Sequence, residues 1–113
     1  MFRGMKMGKY WVYYARNSTF HELDTPKTNE DFTKLDYTFI QYVEAENLEQ
    51  VFVKMQGDNW SPHGEARELT KALSLHTSMS ILDVAKDENG ALWMVASEGF
   101  TKLPFKIHNL FSL

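Results

Sequence analysis

An Asn-Gly pair at residues 89 and 90 lies between two apolar runs, and it constrains the fold more than any other feature of the sequence. Asparagine and glycine tolerate the positive φ angles that tight hairpin turns require. The flanking runs are SILDVAK (80–86) and ALWMVA (91–96). The sequence therefore predicts an antiparallel hairpin, with strands over residues 80–86 and 91–96.

Three more strands are expected outside this hairpin. KYWVYYA (9–15) and YTFIQYVEA (37–45) are rich in aromatic and β-branched residues, which is typical of strands. In the second run, apolar side chains occupy both sets of alternate positions, so we expect both of its faces to be partly buried. Gly99 interrupts the hairpin's return strand, and residues 100–105 are predicted to form the last strand.

Two short helices are predicted between the second strand and the hairpin. Asn47 is the expected N-cap of the first, with Gln50 in the capping-box position and Gly57 at its end. Ser61-Pro62 predicts the start of the second, because proline is favoured at the first helical position. Apolar residues follow each start at helical spacing: Leu48, Val51, Phe52 and Met55 in the first helix, and Ala66, Leu69, Ala72 and Leu73 in the second.

These elements predict an α+β domain with a small, mainly antiparallel sheet of about four to five strands packed by two short helices. The length of 113 residues is that of a single domain, 1–113. We expect residues 1–8 to be flexible, residues 17–36 to form a long loop with one helical turn near residues 29–35, and residues 107–113 to form a tail. The order of elements in the first half would also allow one parallel strand pair.

Composition excludes several classes of protein. The chain has no cysteine, so disulfides, cysteine zinc sites and a cysteine nucleophile are ruled out. No run of apolar residues is long enough to span a membrane, and the N-terminus does not resemble a signal peptide, so we expect a cytoplasmic protein without a membrane partner. The formal net charge is −3, and the basic residues do not form a large cluster. We therefore do not expect nucleic acid as the partner.

The histidines, hydroxyls and carboxylates between residues 61 and 83 do not match a known catalytic or metal pattern. A metal site of His63, Glu65 and His76 has acceptable ligands but no established spacing. A hydrolase using a serine with His63 or His76 and Asp83 lacks the Gly-x-Ser-x-Gly turn. We therefore predict no catalytic residue, no metal ligand and no cofactor.

Binding is the role that the same stretch favours. Trp60 is expected to pack onto the following helix or to serve as a rigid contact anchor. Arg67 opposes the helix dipole in the first helical turn, so it is either part of an ion pair or reserved for a partner. The candidate binding residues at this helix–sheet corner are Trp60, His63, Glu65, Arg67, His76, Thr77, Ser78 and Asp83.

Two motifs in this stretch carry a family resemblance. NWSPHGEAR (59–67) and HTSMSILDV (76–84), followed by the hairpin, resemble an uncharacterised family of small phage and bacterial proteins whose members carry runs like NWSPNGEAR and HTSMSVGDV. A looser similarity is to the YodL-like group of small bacterial domains. The resemblance covers about residues 40–104 and implies a small cytoplasmic protein that is phage-encoded. His63 replaces an expected asparagine, and Ile81-Leu82 replaces an expected Val-Gly.

These observations favour a non-enzymatic accessory protein that binds and modulates, or inhibits, a host protein in transcription, metabolism or defence. One alternative is a nucleotide- or small-molecule-binding module at the helix–sheet corner, where an arginine and a helix N-terminus would hold a phosphate. A small hydrolase is a weaker alternative. Exposed aromatic strands are also compatible with edge pairing into a homodimer.

Overall fold

A single antiparallel sheet organises the computed structural model, which describes residues 7–16, 28, 30, 32, 36–61, 63–64, 71 and 76–106. Within these ranges the strand order is β2-β1-β3-β4-β5, and every strand pair is antiparallel. The α+β prediction is confirmed. The elements are β1 (Gly8–Ala15), β2 (Tyr37–Ala45), α1 (Leu48–Lys54), α2 (Gly57–Trp60), β3 (Val84–Lys86), β4 (Ala91–Val95) and β5 (Phe100–Lys106). None of the helices in these ranges has the length and apolar character needed to cross a membrane.

Each face of the sheet carries its own hydrophobic cluster. Val12 pairs with Ala85 across β1 and β3, and both pack with Val51 and Met55 from the α1 region. We call this side the helix face. Because successive strand residues point to opposite sides, Tyr13 and its cross-strand partner Val84 belong to a second cluster on the opposite face. The sheet is therefore buried from both sides over its central strands.

The segment between β1 and β2 contributes a residue to the core. Phe32 is fully buried, stacks on Tyr37 at 4.2 Å between ring centroids, and belongs to the cluster on the opposite face. Its N–H donates to the Thr28 carbonyl at 3.0 Å, a helical hydrogen bond that confirms the predicted turn at this residue. The other expectations for residues 17–36, the flexibility of residues 1–6 and the tail at 107–113 lie outside the described residues. Gly8, expected to be flexible, is the first residue of β1.

A β-bulge interrupts the alternation of β2. Val12 pairs with Gln41 and Tyr13 pairs with Phe39, so Ile40 has no partner of its own. Ile40 is buried in the helix-face cluster, and the Gln41 side chain donates to the Met55 sulfur at 3.7 Å, so both side chains point to the helix face. The bulge places two consecutive residues opposite one, so Ile40 and Gln41 share a face. The expectation that both faces of this strand are partly buried is confirmed, because Ile40 and Val43 belong to the helix-face cluster and Tyr37 packs on the opposite face.

The first predicted helix is confirmed at its start but not at its end. The Asn47 side chain accepts from the Gln50 N–H at 2.8 Å, as expected for an N-cap. The Gln50 side chain, however, accepts from the N–H of Glu46 rather than of Asn47. Gly57 begins α2 instead of closing α1. A Cβ at this position would lie 3.2 Å from the Thr77 side chain, so close packing explains the glycine.

The second predicted helix does not begin at Ser61-Pro62, because His63 lies in a turn and Gly64 has a positive φ of 80°. Lys71 is helical, and the remainder of the predicted helix lies outside the described residues. Ser61 itself is not helical and caps the end of α2. Trp60 is the last residue of α2 and packs against the helix-face cluster.

Residues 80–83 form a turn rather than the beginning of a strand, so β3 starts at Val84. The Asp83 N–H donates to the Ser80 carbonyl at 3.0 Å, and Leu82 has a φ of 82°. A left-handed conformation is unfavourable for leucine but natural for glycine.

The Asn-Gly hairpin prediction is confirmed, with a loop of three residues. Asp87 and Ala91 close the loop through the Asp87 N–H and the Ala91 carbonyl at 3.0 Å. Gly90 supplies the positive φ, 84°, and the Asp87 carboxylate accepts from the N–H groups of Asn89 and Ala91 at 2.9 Å. Gly99, with a φ of 74°, turns the chain from β4 into β5.

The conformation of Leu82 predicts an unusual order of stability among its variants. Leu82→Ala and Leu82→Gly both lose a buried side chain, at a cost of about 2–5 kcal/mol. Only glycine also relieves the left-handed strain, so we expect Leu82→Gly to be more stable than Leu82→Ala by about 1 kcal/mol. Urea unfolding measures the difference.

Val53 provides the matched control, because it lies on α1 and is 55% exposed. There the glycine variant should be the less stable of the two by about 1 kcal/mol. If alanine were the more stable residue at both positions, the strain at Leu82 would be disproved.

Candidate functional site

The carboxylate of Asp83 is fully buried and joins two separate parts of the chain. Its Oδ1 accepts from the N–H of Ala15, the last residue of β1, at 2.9 Å. Its Oδ2 accepts from the N–H of Ser80 at 2.8 Å. Ionised carboxylates accept such hydrogen bonds strongly in a dry environment. Asp83 therefore fixes the turn at 80–83 against the end of β1.

His76 is the third partner of this carboxylate. Its Nε2 lies 2.5 Å from Oδ2 of Asp83, and its ring stacks on Tyr14 with centroids 4.7 Å apart and planes 13° from parallel. The side chain is 38% exposed, so one end of the imidazole is buried against Asp83 while the rest reaches the surface.

Protonation of the His76–Asp83 pair is governed by burial and by their mutual hydrogen bond. Burial raises the pKa of Asp83, while the hydrogen bonds from His76, Ser80 and Ala15 oppose that rise. The hydrogen bond to Asp83 raises the pKa of His76 above its usual value, although partial burial acts in the other direction. The pair therefore keeps its proton to a higher pH than a free histidine would.

The carbonyl of Thr77 accepts hydrogen bonds from two aromatic side chains. The Tyr14 hydroxyl donates to it at 2.8 Å and the Trp60 indole N–H at 2.9 Å. Burial, with the nearby Asp83 charge as a second cause, raises the pKa of Tyr14 far above its usual value, so this hydroxyl remains a donor. Trp60 thus uses its polar atom to hold the corner together.

The next two residues are also bonded inward. The Ser78 hydroxyl accepts from the Gly57 N–H at 2.7 Å, and the buried Met79 donates its N–H to the Met55 carbonyl at 3.1 Å. The 77–79 segment therefore bonds to the end of α1 and the start of α2.

The structure brings together five of the eight candidate binding residues. They are Trp60, His76, Thr77, Ser78 and Asp83, and together they make the corner rigid. His63 is exposed, and Glu65 and Arg67 lie outside the described residues, so a shared pocket stays a prediction.

The described residues contain neither a serine bonded to His76 nor a cluster of metal-ligating side chains. Asp83 is the one hydrogen-bond partner of His76 in these ranges, so no serine there is bonded to the imidazole as a nucleophile would be. Ser80 instead places its hydroxyl 3.5 Å from Asp83. No cluster of three histidine, aspartate or glutamate side chains in this part of the chain could hold a metal ion.

A second candidate site, on the opposite face of the sheet, was not predicted. Trp11 and Tyr42 form one aromatic pair and Tyr13 and Phe39 the next, each with ring centroids 5.4 Å apart. Phe39 is 48% exposed and Tyr42 40%. We call these four residues, with Lys86 whose Nζ lies 5.7 Å from the centroid of the Trp11 ring, the aromatic patch. The many aromatic residues of β1 and β2 are visible in the sequence. The β-bulge, which determines the face of the sheet to which these side chains point, cannot be read from the sequence.

Comparisons of the chain with protein-family models, curated proteins and solved structures found no match. The family resemblance of residues 40–104 therefore stays a prediction.

Removal of the Asp83 carboxylate should strongly destabilise the fold. Asp83→Ala leaves buried N–H groups of Ala15 and Ser80 without an acceptor, and we expect the free energy of unfolding to fall by about 3–5 kcal/mol. Urea unfolding measures this loss. Glu98→Ala removes an exposed carboxylate and should change stability by less than about 0.5 kcal/mol. Equal effects of the two variants would rule out a special role for Asp83.

The raised pKa of His76 predicts a pH-dependent stability. Protonation of His76 stabilises the fold, and this contribution is complete below the unfolded pKa of about 6.5. It is lost as the pH rises through the higher folded pKa. We therefore expect the stability difference between the wild type and His76→Gln to shrink as the pH is raised from 6 to higher values. Urea unfolding at successive pH values measures it, and a constant difference would contradict the coupling.

Proposed function

We propose that this protein is a non-enzymatic accessory protein that binds a host protein through the aromatic patch. The observation that carries the proposal is the exposure of Phe39 and Tyr42 beside Trp11 on an ordered sheet. In line with the family resemblance, the proposal includes a phage-encoded protein that modulates its target in the host cytoplasm.

The chemistry of the patch suits protein recognition. Tryptophan and tyrosine are enriched among the residues that dominate binding energy at interfaces. Their large rings bury much area at little entropic cost when their positions are already fixed. The Tyr42 hydroxyl donates to Glu44 at 2.7 Å, and Tyr13 supports Phe39 from the neighbouring strand. The patch is therefore ordered before any partner arrives.

The corner around Asp83 supports this role indirectly. Trp11 and Tyr13 lie on β1, and Asp83 fixes the end of the same strand through Ala15. Residues of the corner thus stabilise the strand that presents the patch. On this proposal, the two sequence motifs supply a rigid base and the aromatic residues supply the contact.

Affinity capture with matched variants tests the proposal. The wild type should recover a stoichiometric partner from a host lysate, and the double variant Phe39→Ser, Tyr42→Ser should bind the purified partner at least about 30-fold more weakly, since each interface anchor contributes about 2 kcal/mol or more. Isothermal titration calorimetry with the purified partner measures the change.

Val53→Ser is the control, because Val53 is an exposed apolar residue on α1, away from the patch. It should bind like the wild type, and circular dichroism verifies that all variants are folded. Recovery of no stoichiometric partner, or equal binding by the folded double variant, would overturn the proposal.

A further inference from the structure

A cavity of about 320 Å³ lies between α1 and the turn that joins β4 to β5. One wall is the side of α1 that carries Glu49, Phe52 and Val53. The other wall is the end of β4, the turn after it and Phe100 at the start of β5. The volume lies at the lower end of the range of about 300–1,000 Å³ that is usual for small-molecule sites. Any ligand of this cavity is therefore small.

The walls of the cavity present apolar side chains that the core leaves uncovered. Val53 is 55% exposed. Phe52 and Phe100 are only half-buried, although both pack against the helix-face cluster. A ligand with an apolar body would remove this surface from water and contact two aromatic rings, which is favourable.

The charge of the cavity is that of one carboxylate. Among the described residues, Glu49 is the one charged side chain that lines it, and this carboxylate has no hydrogen bond or ion pair there. The lysines closest in the chain to the cavity residues are engaged elsewhere. Lys54 donates to the Glu44 carbonyl at 2.8 Å. The Lys102 ammonium lies 5.7 Å from the centroid of the Trp93 ring.

We propose that this cavity binds a small organic cation, an ammonium group on an apolar body. Glu49 lies three and four residues before Phe52 and Val53, so all three side chains share one side of α1. The ammonium group pairs with the carboxylate of Glu49, and the apolar body contacts Phe52, Val53 and Phe100. Aromatic rings add to the attraction, because their faces carry negative charge that favours cations.

An anionic ligand finds no partner at the same place. The N–H of Gln50, in the first turn of α1, already donates to the Asn47 side chain at 2.8 Å. No lysine or arginine of the described residues lines the cavity, and the Glu49 carboxylate repels negative charge. A neutral molecule of the same shape gains the apolar contacts alone. The charge of the ligand is therefore the property that this cavity distinguishes.

A nuclear magnetic resonance titration with three probes of similar shape tests the inference. The ¹⁵N-labelled protein is titrated at neutral pH with phenethylammonium, phenethyl alcohol and phenylacetate. We expect saturable shifts of the Phe52, Gly99 and Phe100 amide resonances with the ammonium probe. It should bind about 3- to 5-fold more tightly than the alcohol, the contribution of an exposed ion pair, and phenylacetate should bind most weakly. No saturable shift, or equal affinity for the three probes, would overturn the inference.

Two variants test the role of the carboxylate. Glu49→Gln keeps the shape of the side chain, so it should weaken binding of phenethylammonium about 3- to 5-fold and leave binding of the alcohol unchanged. Val53→Lys places an ammonium four residues after Glu49, where it pairs with the carboxylate, and should abolish the preference for the cationic probe. A preference for the ammonium probe that persists in folded Glu49→Gln would contradict the role of this carboxylate.

Asp58→Asn is the matched control. Asp58 is the acidic residue in the first turn of α2, as Glu49 is in α1, but it does not line the cavity. This variant should bind all three probes like the wild type, and an equal loss in Asp58→Asn and Glu49→Gln would overturn the site. Circular dichroism verifies that the variants are folded, and the comparison of probes in the wild type decides the question if one of them is not.

The inference is independent of the proposed function, because the aromatic patch lies on the opposite face of the sheet. The double variant Phe39→Ser, Tyr42→Ser should therefore bind phenethylammonium like the wild type while its binding of the host partner is weakened. Loss of ammonium binding in the folded double variant would contradict the assignment of the cavity as the binding site.

Discussion

The buried carboxylate of Asp83 is the interaction on which the described structure depends. Desolvation of a charge is costly, and it is tolerated here because Ala15, Ser80 and His76 all supply donors. The same three bonds tie β1, the turn before β3 and the 76–79 segment to one point. A network of this kind is stable only when complete, because any lost member leaves a buried polar group without a partner.

β1, whose end is held by Asp83, contributes side chains to both faces of the sheet. It is the strand that pairs with β2 on one side and β3 on the other. Tyr14 points to the helix face, where it stacks on His76, while Tyr13 points to the opposite face beneath Phe39. The corner and the aromatic patch are therefore built on opposite sides of the same strand, and the corner residues that contact this strand have a structural role.

Local signals predicted much of this fold, whereas features set by distant contacts escaped prediction. The Asn47 N-cap and the turn at Gly90 depend only on residues close in the chain, so both can be predicted from the sequence. The bulge at Ile40 depends on the register with β1, and the buried position of Phe32 depends on the sheet it covers. The left-handed Leu82 was hidden because leucine ordinarily excludes that conformation.

The edges of the sheet are less suited to association than its faces. On β2, the bulge disrupts regular pairing, and the Lys54 ammonium donates to the Glu44 carbonyl at 2.8 Å, which occupies an edge acceptor. On β5, Pro104 lacks the N–H that a further strand would need. Such devices protect edge strands from pairing with other chains. On the proposed function, association therefore occurs through side chains on the face that carries Trp11, Phe39 and Tyr42 and not through the strand edges.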